Sequence, residues 1–378
     1  MRFTGLLLGA ALALSAGCAP APAADHGAPA GSPAALQALL DHWRARAGVP
    51  AVTLTVGGPG AAAWAGASGT AERGGGAPVP PDVPFRVASV TKTFVATVVL
   101  QLAEAGALRL DDPLARWVPG FPGAGAVTIR QLLDHTSGIP DYGRAPGIGK
   151  RLLADRDRRW STADVLALVA GTRRDAAPGR AYSYSNTNYV LLGEVIRAVT
   201  GAGWAEEVRR RVIDPLGLRG TFVAGAEPGA ERGAVAPVAG YFDADNDGHT
   251  ENVWDRPWAS LETSEGAAGA LVSTGPDLAR FVTALFRGEL LTPASLAAMT
   301  REGPHHPRFS NYGLGVEILR PDYETVVWGH GGSLPGFRSA MWYLPDRGVA
   351  IVVLANEWRS DPGDLAELAM RRLGAGAR

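Results

Sequence analysis

The chain has 378 residues, 46% of them hydrophobic, which is enough to bury one large core or two smaller ones and excludes a disordered protein. The formal net charge of −1 at pH 7, with no basic run, argues against nucleic acid and acidic lipid as partners. Because there is a single cysteine, no disulfide can form within the chain.

The N-terminal segment, residues 1–33, has the pattern of an export signal followed by a flexible tether. Arg2 precedes the apolar residues 6–16, which are too few to span a bilayer, and small residues follow. Cys18 comes after Leu-Ser-Ala-Gly, which resembles the bacterial lipobox, where the cysteine becomes lipidated. Residues 21–24 offer an alternative cleavage site for ordinary secretion. We therefore expect an exported protein, either a cell-envelope lipoprotein that contacts the membrane through a lipid on Cys18 or a secreted one.

The next part of the chain predicts a helix, a hairpin and a second helix. Apolar residues recur at helical spacing over residues 34–47. Two short β-type runs, residues 51–57 and 62–69, are separated by a Gly/Pro turn and predict a hairpin. The apolar run at residues 85–102 then predicts a helix.

Helical patterns dominate from about residue 106 to residue 230, and a β-rich part follows residue 266. Asp112 and Pro113 have the pattern of an N-cap and a first helical residue. Further helices are predicted at residues 128–135, 161–170, 189–200, 204–212, 275–287 and 361–373, and strands at residues 312–319, 324–328, 339–343 and 349–355. We therefore expect an α+β fold. Residues 34–105 and 266–378 would form one antiparallel sheet flanked by helices, with residues 106–265 as a mainly helical insertion.

A serine and a lysine stand three residues apart at the start of the second helix. Ser89 and Lys92 would share one helix face, where the amine can hydrogen-bond the hydroxyl and help to deprotonate it. Only two of the 36 basic residues are lysines, Lys92 and Lys150. Because a buried lysine can release its proton near neutral pH and an arginine cannot, this choice favours proton transfer.

Two later segments could complete a site. Tyr184 and Asn186 offer a phenol and an amide on the same side of an extended turn before a helix. His330 is followed by Gly331 and Gly332 at the end of a predicted strand, where glycines allow another backbone to approach closely. Each segment alone is more often structural than catalytic.

The three motifs in this order resemble those of the serine penicillin-recognising hydrolases, in the branch that contains class C β-lactamases, D-alanyl-D-alanine carboxypeptidases, and related esterases and D-amino-acid peptidases. The similarity continues through the segments FRVASVTKTF, LLDHTSGIPDY, PGRAYSYSNTNYVLLGEVI, GALVSTGPDLARF and YGLGVEI. It covers nearly all of residues 34–378 and implies a β-lactamase/transpeptidase-like fold without a metal or cofactor.

The resemblance also implies a double-displacement acyl transfer. Ser89 would be the acylated nucleophile, Lys92 its proton partner, and Tyr184 a general base and then a general acid. The backbone N–H groups of Ser89 and Ser333 would form the oxyanion hole. The substrate would be a D-alanyl peptide, a β-lactam or an ester.

Substrate binding would fall to residues beside the nucleophile. Asn186 would bind the substrate amide, while His330 would replace the lysine of the third motif and support Tyr184 and the carboxylate end of the substrate. Gly331 stands where a threonine or serine normally offers a hydroxyl to that carboxylate. Ser333 or Arg320 would have to supply the contact instead. This departure weakens the expectation of strict carboxypeptidase activity and keeps an esterase open.

Other motifs carry weaker signals. Asp243, Asp245 and Asp247 begin a pattern typical of a calcium loop, but its twelfth position is Trp254 instead of a glutamate, so a polar hairpin tip is the better interpretation. His135 is interpreted as a structural residue at a helix end. Two alternatives to a carboxypeptidase or β-lactamase therefore remain: an esterase of small acyl esters, and a catalytically silent sensor of cell-wall peptide or penicillin.

Overall fold

The computed structural model of the protein describes residues 31–58, 64–225, 238–303, 310–321 and 325–374. The predicted export signal and Cys18 lie outside these residues. Within them, no helix is both long and apolar enough to cross a membrane.

Helices and strands of the described residues follow the predicted order closely. The helices are α1 Pro33–Ala47, α2 Thr91–Glu104, α3 Ile129–Leu133, α4 Ile148–Ala154, α5 Thr162–Ala167, α6 Asn186–Thr200, α7 Trp204–Val208, α8 Asp214–Leu216, α9 Ala259–Glu265, α10 Gly275–Phe286, α11 Pro293–Met299 and α12 Pro362–Arg372. The strands are β1 Ala51–Gly57, β2 Trp64–Glu72, β3 Gly75–Pro78, β4 Phe85–Arg86, β5 Phe222–Val223, β6 Tyr241–Phe242, β7 Glu251–Asn252, β8 Leu271–Ser273, β9 Ser310–Tyr312, β10 Glu317–Leu319, β11 Val327–Leu334, β12 Phe337–Leu344 and β13 Val349–Ala355.

Eight strands form one antiparallel sheet in the order β3-β2-β1-β13-β12-β11-β10-β9. Strands from the two ends of the chain meet where β1 pairs with β13, with Val52 opposite Ala355. The predicted α+β class is therefore confirmed. A second sheet, β4-β8-β5, lies outside the main one.

Helices cover both faces of the main sheet. Strand β13 is almost entirely apolar and buried because α10 packs on one face and α12 on the other. On the second face, Leu40 and Trp43 of α1 join Leu365 and Met370 of α12 in one core cluster. The larger cluster on the opposite face includes α2 and α6, so the helix that follows the predicted nucleophile is anchored in the main core.

Several predicted boundaries were wrong, and three of the errors have a local reason. Residues 312–319 are not one strand but β9 and β10, joined by a turn in which Gly315 has φ +78°, where a Cβ would overlap that of Ala96. Pro113 is extended and precedes only a 3₁₀ turn, because the Asp112 carboxylate accepts a hydrogen bond from the backbone of Arg109 at 2.9 Å instead of capping a helix. Strand β11 runs through His330, so that residue lies inside a strand and not at its end.

Candidate active site

Ser89 lies in a 3₁₀ turn, Ala88–Val90, that leads directly into α2. Ala88 has φ +47°, an uncommon backbone conformation for a residue with a side chain. The turn is held on both sides, because the Thr91 hydroxyl donates to the Ala88 carbonyl at 2.7 Å and the Val87 N–H donates to the Leu271 carbonyl at 3.0 Å. The serine is therefore presented by a constrained turn at the start of a buried helix.

Lys92 is fully buried one turn further on, and three acceptors surround its amine. Nζ donates to Ser89 Oγ at 2.9 Å, to Asn186 Oδ1 at 2.8 Å and to the Ala268 carbonyl at 2.7 Å. Burial lowers the pKa of Lys92 from 10.5 to about 8, against the opposing effect of the Glu265 carboxylate. The amine thus contacts the predicted nucleophile and is close to releasing a proton at neutral pH.

Tyr184 approaches Ser89 from the other side, and its hydroxyl donates to Ser89 Oγ at 2.9 Å. Burial raises the pKa of Tyr184 well above its usual value, so the resting phenol is neutral. His135 holds the segment in place: its ring centroid lies 4.3 Å from that of Tyr184, and its Nδ1 accepts from the Ser185 N–H at 3.2 Å. His135 itself has φ +59°. Its contact with the tyrosine was not evident from the sequence.

Asn186 opens α6 and completes the group around Lys92. Its side-chain oxygen accepts from Lys92, while its Nδ2 and its backbone N–H donate to the Asp141 carboxylate at 3.3 and 3.2 Å. Both ends of the amide are thereby oriented. Hydroxyl, amine, phenol and amide, drawn from two separate stretches of sequence, lie together as the sequence predicted.

His330 is buried in β11 and does not present a positive charge. Its Nε2 pairs with the Tyr312 hydroxyl at 2.9 Å, and its Nδ1 lies 2.5 Å from the Gly331 carbonyl and 3.3 Å from Glu317 Oε1. Burial lowers the pKa of His330 to about 3, so the imidazole is neutral at pH 7. Its ring centroid is 6.5 Å from that of Tyr184. The imidazole can support the site by position but not by charge.

The middle of β11 packs against the turn that carries Ser89. A Cβ at Gly332 would overlap the Val87 carbonyl oxygen, so this glycine permits the close approach of strand and turn. Ser333 is exposed and lines the same cleft as Ser89. The placement is consistent with the predicted oxyanion hole, whose two N–H groups belong to Ser89 and Ser333.

A cleft of about 400 Å³ lies in front of these groups. Seven of the predicted site residues line this cleft: Ser89, Tyr184, Asn186, His330, Gly331, Gly332 and Ser333. Arg320 lies elsewhere, in the lining of a neighbouring cavity, and its guanidinium pairs with Glu302. The structure therefore does not bring Arg320 to the nucleophile.

Several charged groups of the site were missed by sequence reasoning. Glu317, Arg338 and Asp361 line the cleft, and Glu265 lies behind Lys92. Burial raises the pKa of Glu317 to about 7, and it also raises that of Glu265. Glu317 belongs to the similar segment YGLGVEI and could have been noticed there. Arg338 could not, because only the pairing of β11 with β12 brings it to the cleft.

The three aspartates of the possible calcium loop are not among the residues that line this cleft. Asp243, Asp245 and Asp247 place one oxygen each within 4.8 Å of one another, in the loop between β6 and β7. Asp243 pairs with Arg359 at 2.5 Å and also accepts from the Gly248 N–H. The segment is therefore the tip of a hairpin.

Comparison with known proteins agrees with this arrangement. The family model described as Beta-lactamase matches residues 36–375. Penicillin-binding protein 4 from Amycolatopsis lactamdurans is 32% identical over 77% of this chain and 76% of its own length. Esterase EstB from Burkholderia gladioli is 37% identical over 54% of this chain and 52% of its own length. A D-stereospecific amidohydrolase from Streptomyces sp. superimposes with a TM-score of 0.78 at 34% identity, covering 89% of this chain and 98% of that one.

Fold and site together define a serine hydrolase in which a Ser-x-x-Lys turn lies between a helical part and an antiparallel sheet. The chain belongs to the Beta-lactamase family, together with proteins named as penicillin-binding proteins, esterases and amidohydrolases.

Proposed function

We propose that this protein hydrolyses D-alanyl peptides or the β-lactams that mimic them, through an acyl-enzyme on Ser89. The observation that carries the proposal is the double contact on Ser89 Oγ, which lies 2.9 Å from Lys92 Nζ and 2.9 Å from the Tyr184 hydroxyl. A nucleophile held between a proton acceptor and a proton donor is what both halves of an acyl transfer require. The relationship to a penicillin-binding protein supports the same substrate class.

The directions of the pKa shifts of Lys92 and Tyr184 favour different roles for the two groups in proton transfer. Lys92, with its lowered pKa, is the better first acceptor of the Ser89 proton, and the neutral Tyr184 phenol is the better donor to the leaving group. As the Ser89 oxygen bonds to the carbonyl carbon and the bond to the leaving group breaks, the proton lost by Ser89 is replaced on the leaving group through this pair. Water then reverses the sequence and releases the acid.

A second candidate is the hydrolysis of esters or amides whose leaving group carries no carboxylate. Two observations favour it: Gly331 offers no hydroxyl, and His330 is neutral. The family relationship to an esterase and to a D-stereospecific amidohydrolase supports it as well. The acyl transfer at Ser89 would be the same in both candidates, and only the part of the leaving group that lies beside Gly331 would differ.

Labelling and turnover would separate the candidates. Wild type and Ser89→Ala are incubated with fluorescent penicillin, an N-acyl-D-alanyl-D-alanine peptide and a p-nitrophenyl ester, and the adduct on Ser89 is located by mass spectrometry. Labelling with release of D-alanine supports the first candidate. Ester turnover without labelling supports the second, and labelling without any turnover supports a sensor. Absence of a Ser89 adduct with every substrate would overturn the acyl-enzyme.

A further inference from the structure

Lys92 can accept the Ser89 proton only if the lone pair of its neutral amine points at Ser89 Oγ. A neutral amine has two hydrogens and one lone pair, so two of the three groups around Nζ must accept the hydrogens. Those two are Asn186 Oδ1 at 2.8 Å and the Ala268 carbonyl at 2.7 Å, while Ser89 Oγ lies at 2.9 Å. The direction of the lone pair therefore depends on Asn186 presenting its oxygen to the amine.

The Ala268 carbonyl belongs to the backbone and is fixed, but an amide side chain can turn over. A half-turn of the Asn186 amide would exchange its oxygen and its NH₂ group at nearly the same positions. The NH₂ group would then donate to the lone pair of Lys92 and compete with the Ser89 hydroxyl for it. A second contact has to hold the amide once Lys92 is neutral, because a neutral amine can accept a hydrogen bond as well as donate one.

The Asp141 carboxylate provides this contact from the other side of the amide. It accepts hydrogen bonds from Asn186 Nδ2 at 3.3 Å and from the Asn186 backbone N–H at 3.2 Å. A carboxylate is only an acceptor, so it cannot hydrogen-bond the amide oxygen that a half-turn would bring towards it. Turning the amide over would leave two acceptors facing each other in a partly buried place, which costs free energy.

Asp141 is held in place relative to the amide, because its segment is bound to the first turn of α6. The Tyr142 N–H donates to the Thr187 hydroxyl at 2.9 Å, and that hydroxyl donates to the Pro140 carbonyl at 2.8 Å. Asn186 is the first residue of the same helix. The carboxylate and the amide therefore belong to one local framework.

Asp141 also acts on Lys92 through its charge. Burial lowers the pKa of Lys92, and three carboxylates oppose this effect. In decreasing order of effect they belong to Glu265, Asp141 and Glu317. In the described part of the chain, Asp141 is the one of the three that hydrogen-bonds Asn186. Titratable side chains that are neutral at pH 7 also lie near the amine: His330, Tyr184 and Tyr189.

We propose that Asp141 is a positioning residue that locks the Asn186 amide with its oxygen towards Lys92, and so keeps the lone pair of the amine aimed at Ser89. This inference rests on the proposed function, since it explains how Lys92 takes the Ser89 proton. It gives a part in the reaction to Asp141, which lies in the segment LLDHTSGIPDY and was not among the predicted site residues.

Asp141→Asn should turn the Asn186 amide over. The oxygen of the new side chain can still accept from the Asn186 N–H, but its NH₂ group would face the NH₂ group of Asn186, and a half-turn of Asn186 relieves this conflict. Stopped-flow acylation of Ser89 by a small uncharged ester, at about pH 9.5 where Lys92 is mostly neutral, measures the result. We expect the rate to fall by at least about tenfold.

Asp141→Ala separates this role from a structural one. It removes the acceptor for the Asn186 N–H, so the melting temperature should fall more than in Asp141→Asn. It offers no NH₂ group that turns the amide over, so the acylation rate should fall less than in Asp141→Asn. A purely structural role would instead make Asp141→Ala the worse variant in both measurements.

Glu265→Gln is the matched control for charge, because it also removes a carboxylate near Lys92 and leaves Asp141 in place. The chain has two lysines, so lysine isotopically labelled at Cε gives an NMR signal for Lys92 and one for exposed Lys150 as the reference. The pKa of Lys92 should fall below about 8 in both variants. By charge alone the larger fall would occur in Glu265→Gln. We expect it in Asp141→Asn, because the Asn186 NH₂ group then stabilises the neutral amine.

An unchanged acylation rate in Asp141→Asn would overturn the inference, as would a slower rate in Asp141→Ala than in Asp141→Asn. A larger fall in the pKa of Lys92 in Glu265→Gln than in Asp141→Asn would overturn it as well. If wild-type Ser89 is not acylated by any substrate, the proposed hydrolysis is wrong. The titration of Lys92 needs no turnover, so it still decides whether Asp141 orients the amide.

Discussion

Ser89 Oγ accepts hydrogen bonds from Lys92 and Tyr184. The pKa of Lys92 is lowered and the pKa of Tyr184 is raised, so each shift favours the neutral form of its group. Burial is the leading cause in both cases, since it penalises an ammonium and a phenolate alike. The site therefore places a potential base and a potential acid on one oxygen.

Lys92→Arg should nearly abolish acylation. An arginine keeps the charge but cannot give up a proton near neutral pH, so the rate of Ser89 acylation should fall by about 10²–10⁴-fold, the range of a lost general base. Stopped-flow acylation with a chromogenic ester measures this rate. Lys150→Arg is the control, since Lys150 is the other lysine and is exposed. A wild-type rate in Lys92→Arg would refute the role of Lys92.

The acylation rate should depend on pH through the same group. Because the pKa of Lys92 is lowered to about 8, the neutral amine is a minority below that pH. The rate of Ser89 acylation by an uncharged ester should therefore rise about tenfold per pH unit up to about pH 8 and level off above it. Pre-steady-state measurements from pH 6 to pH 9.5 would reveal the curve. A flat profile would mean that acylation does not depend on the protonation state of Lys92, and a rate that falls above about pH 8 would mean that the protonated form is the active one.

Glu317 should lower stability as the pH rises. Its pKa is raised from 4.5 to about 7 in the folded protein, so between these values the folded state binds more protons than the unfolded state. The contribution of Glu317 to the free energy of unfolding is then largest below about pH 4.5 and is lost as the pH rises through about 7. Urea unfolding at pH 5 and pH 8 should show a smaller decrease for Glu317→Gln than for wild type. An equal decrease in both proteins would contradict the raised pKa.

At the scale of elements, the active site is a junction between a turn and a strand. The turn Ala88–Val90 lies against β11, and the fit depends on Gly332, whose Cβ would overlap the Val87 carbonyl oxygen. Sequence periodicity predicted a helix through Ser89, but the residue lies in a 3₁₀ turn before α2. Periodicity could not detect this difference, because the apolar spacing continues unbroken from Val87 to Leu102.

Gly332→Ala and Gly331→Ala make a matched pair at this junction. The Cβ at residue 332 would push the Val87 carbonyl and the nucleophile turn away from β11, so Ser89 acylation should fall by at least tenfold. The Cβ at residue 331 would lie 3.8 Å from both the Glu317 carboxylate and the Ser339 carbonyl oxygen, which is ordinary van der Waals contact, so acylation by a small uncharged ester should change less than threefold. Equal rates in the two variants would show that the close approach does not position Ser89. Circular dichroism checks that both variants fold.

At the scale of the whole molecule, the site exists because distant parts of the chain meet. Strands β1 and β13 join the two ends of the chain in one sheet, while α6 of the helical part supplies Asn186 to the buried amine. The order of most helices and strands followed from hydrophobic periodicity, which depends on neighbours in sequence. The pairing of β11 with β12 did not, although the two strands form a tight hairpin through Pro335 and Gly336, because the strands were predicted at residues 324–328 and 339–343, too far apart for a tight turn.

Attachment to the membrane remains a proposal about the N-terminal segment. If Cys18 is lipidated, Cys18→Ser should move the protein from the membrane fraction to the soluble fraction of cells that export it. Fractionation with immunoblotting measures the distribution, and metabolic labelling with a palmitate analogue tests for the lipid directly. An unchanged distribution and no label on wild type would instead support cleavage within residues 21–24.

The sequence by itself determined which reactive groups the protein has and the broad fold that holds them. The rarity of lysine, the Ser-x-x-Lys motif and the spacing of apolar residues can all be recognised in short stretches of sequence. Tertiary structure decided what those groups can do. Burial makes His330 neutral and lowers the pKa of Lys92, and strand pairing brings Arg338 to the cleft while leaving Arg320 beside Glu302. Solvent exclusion and the neighbours of a charge are properties of the folded chain, so no local pattern can specify them.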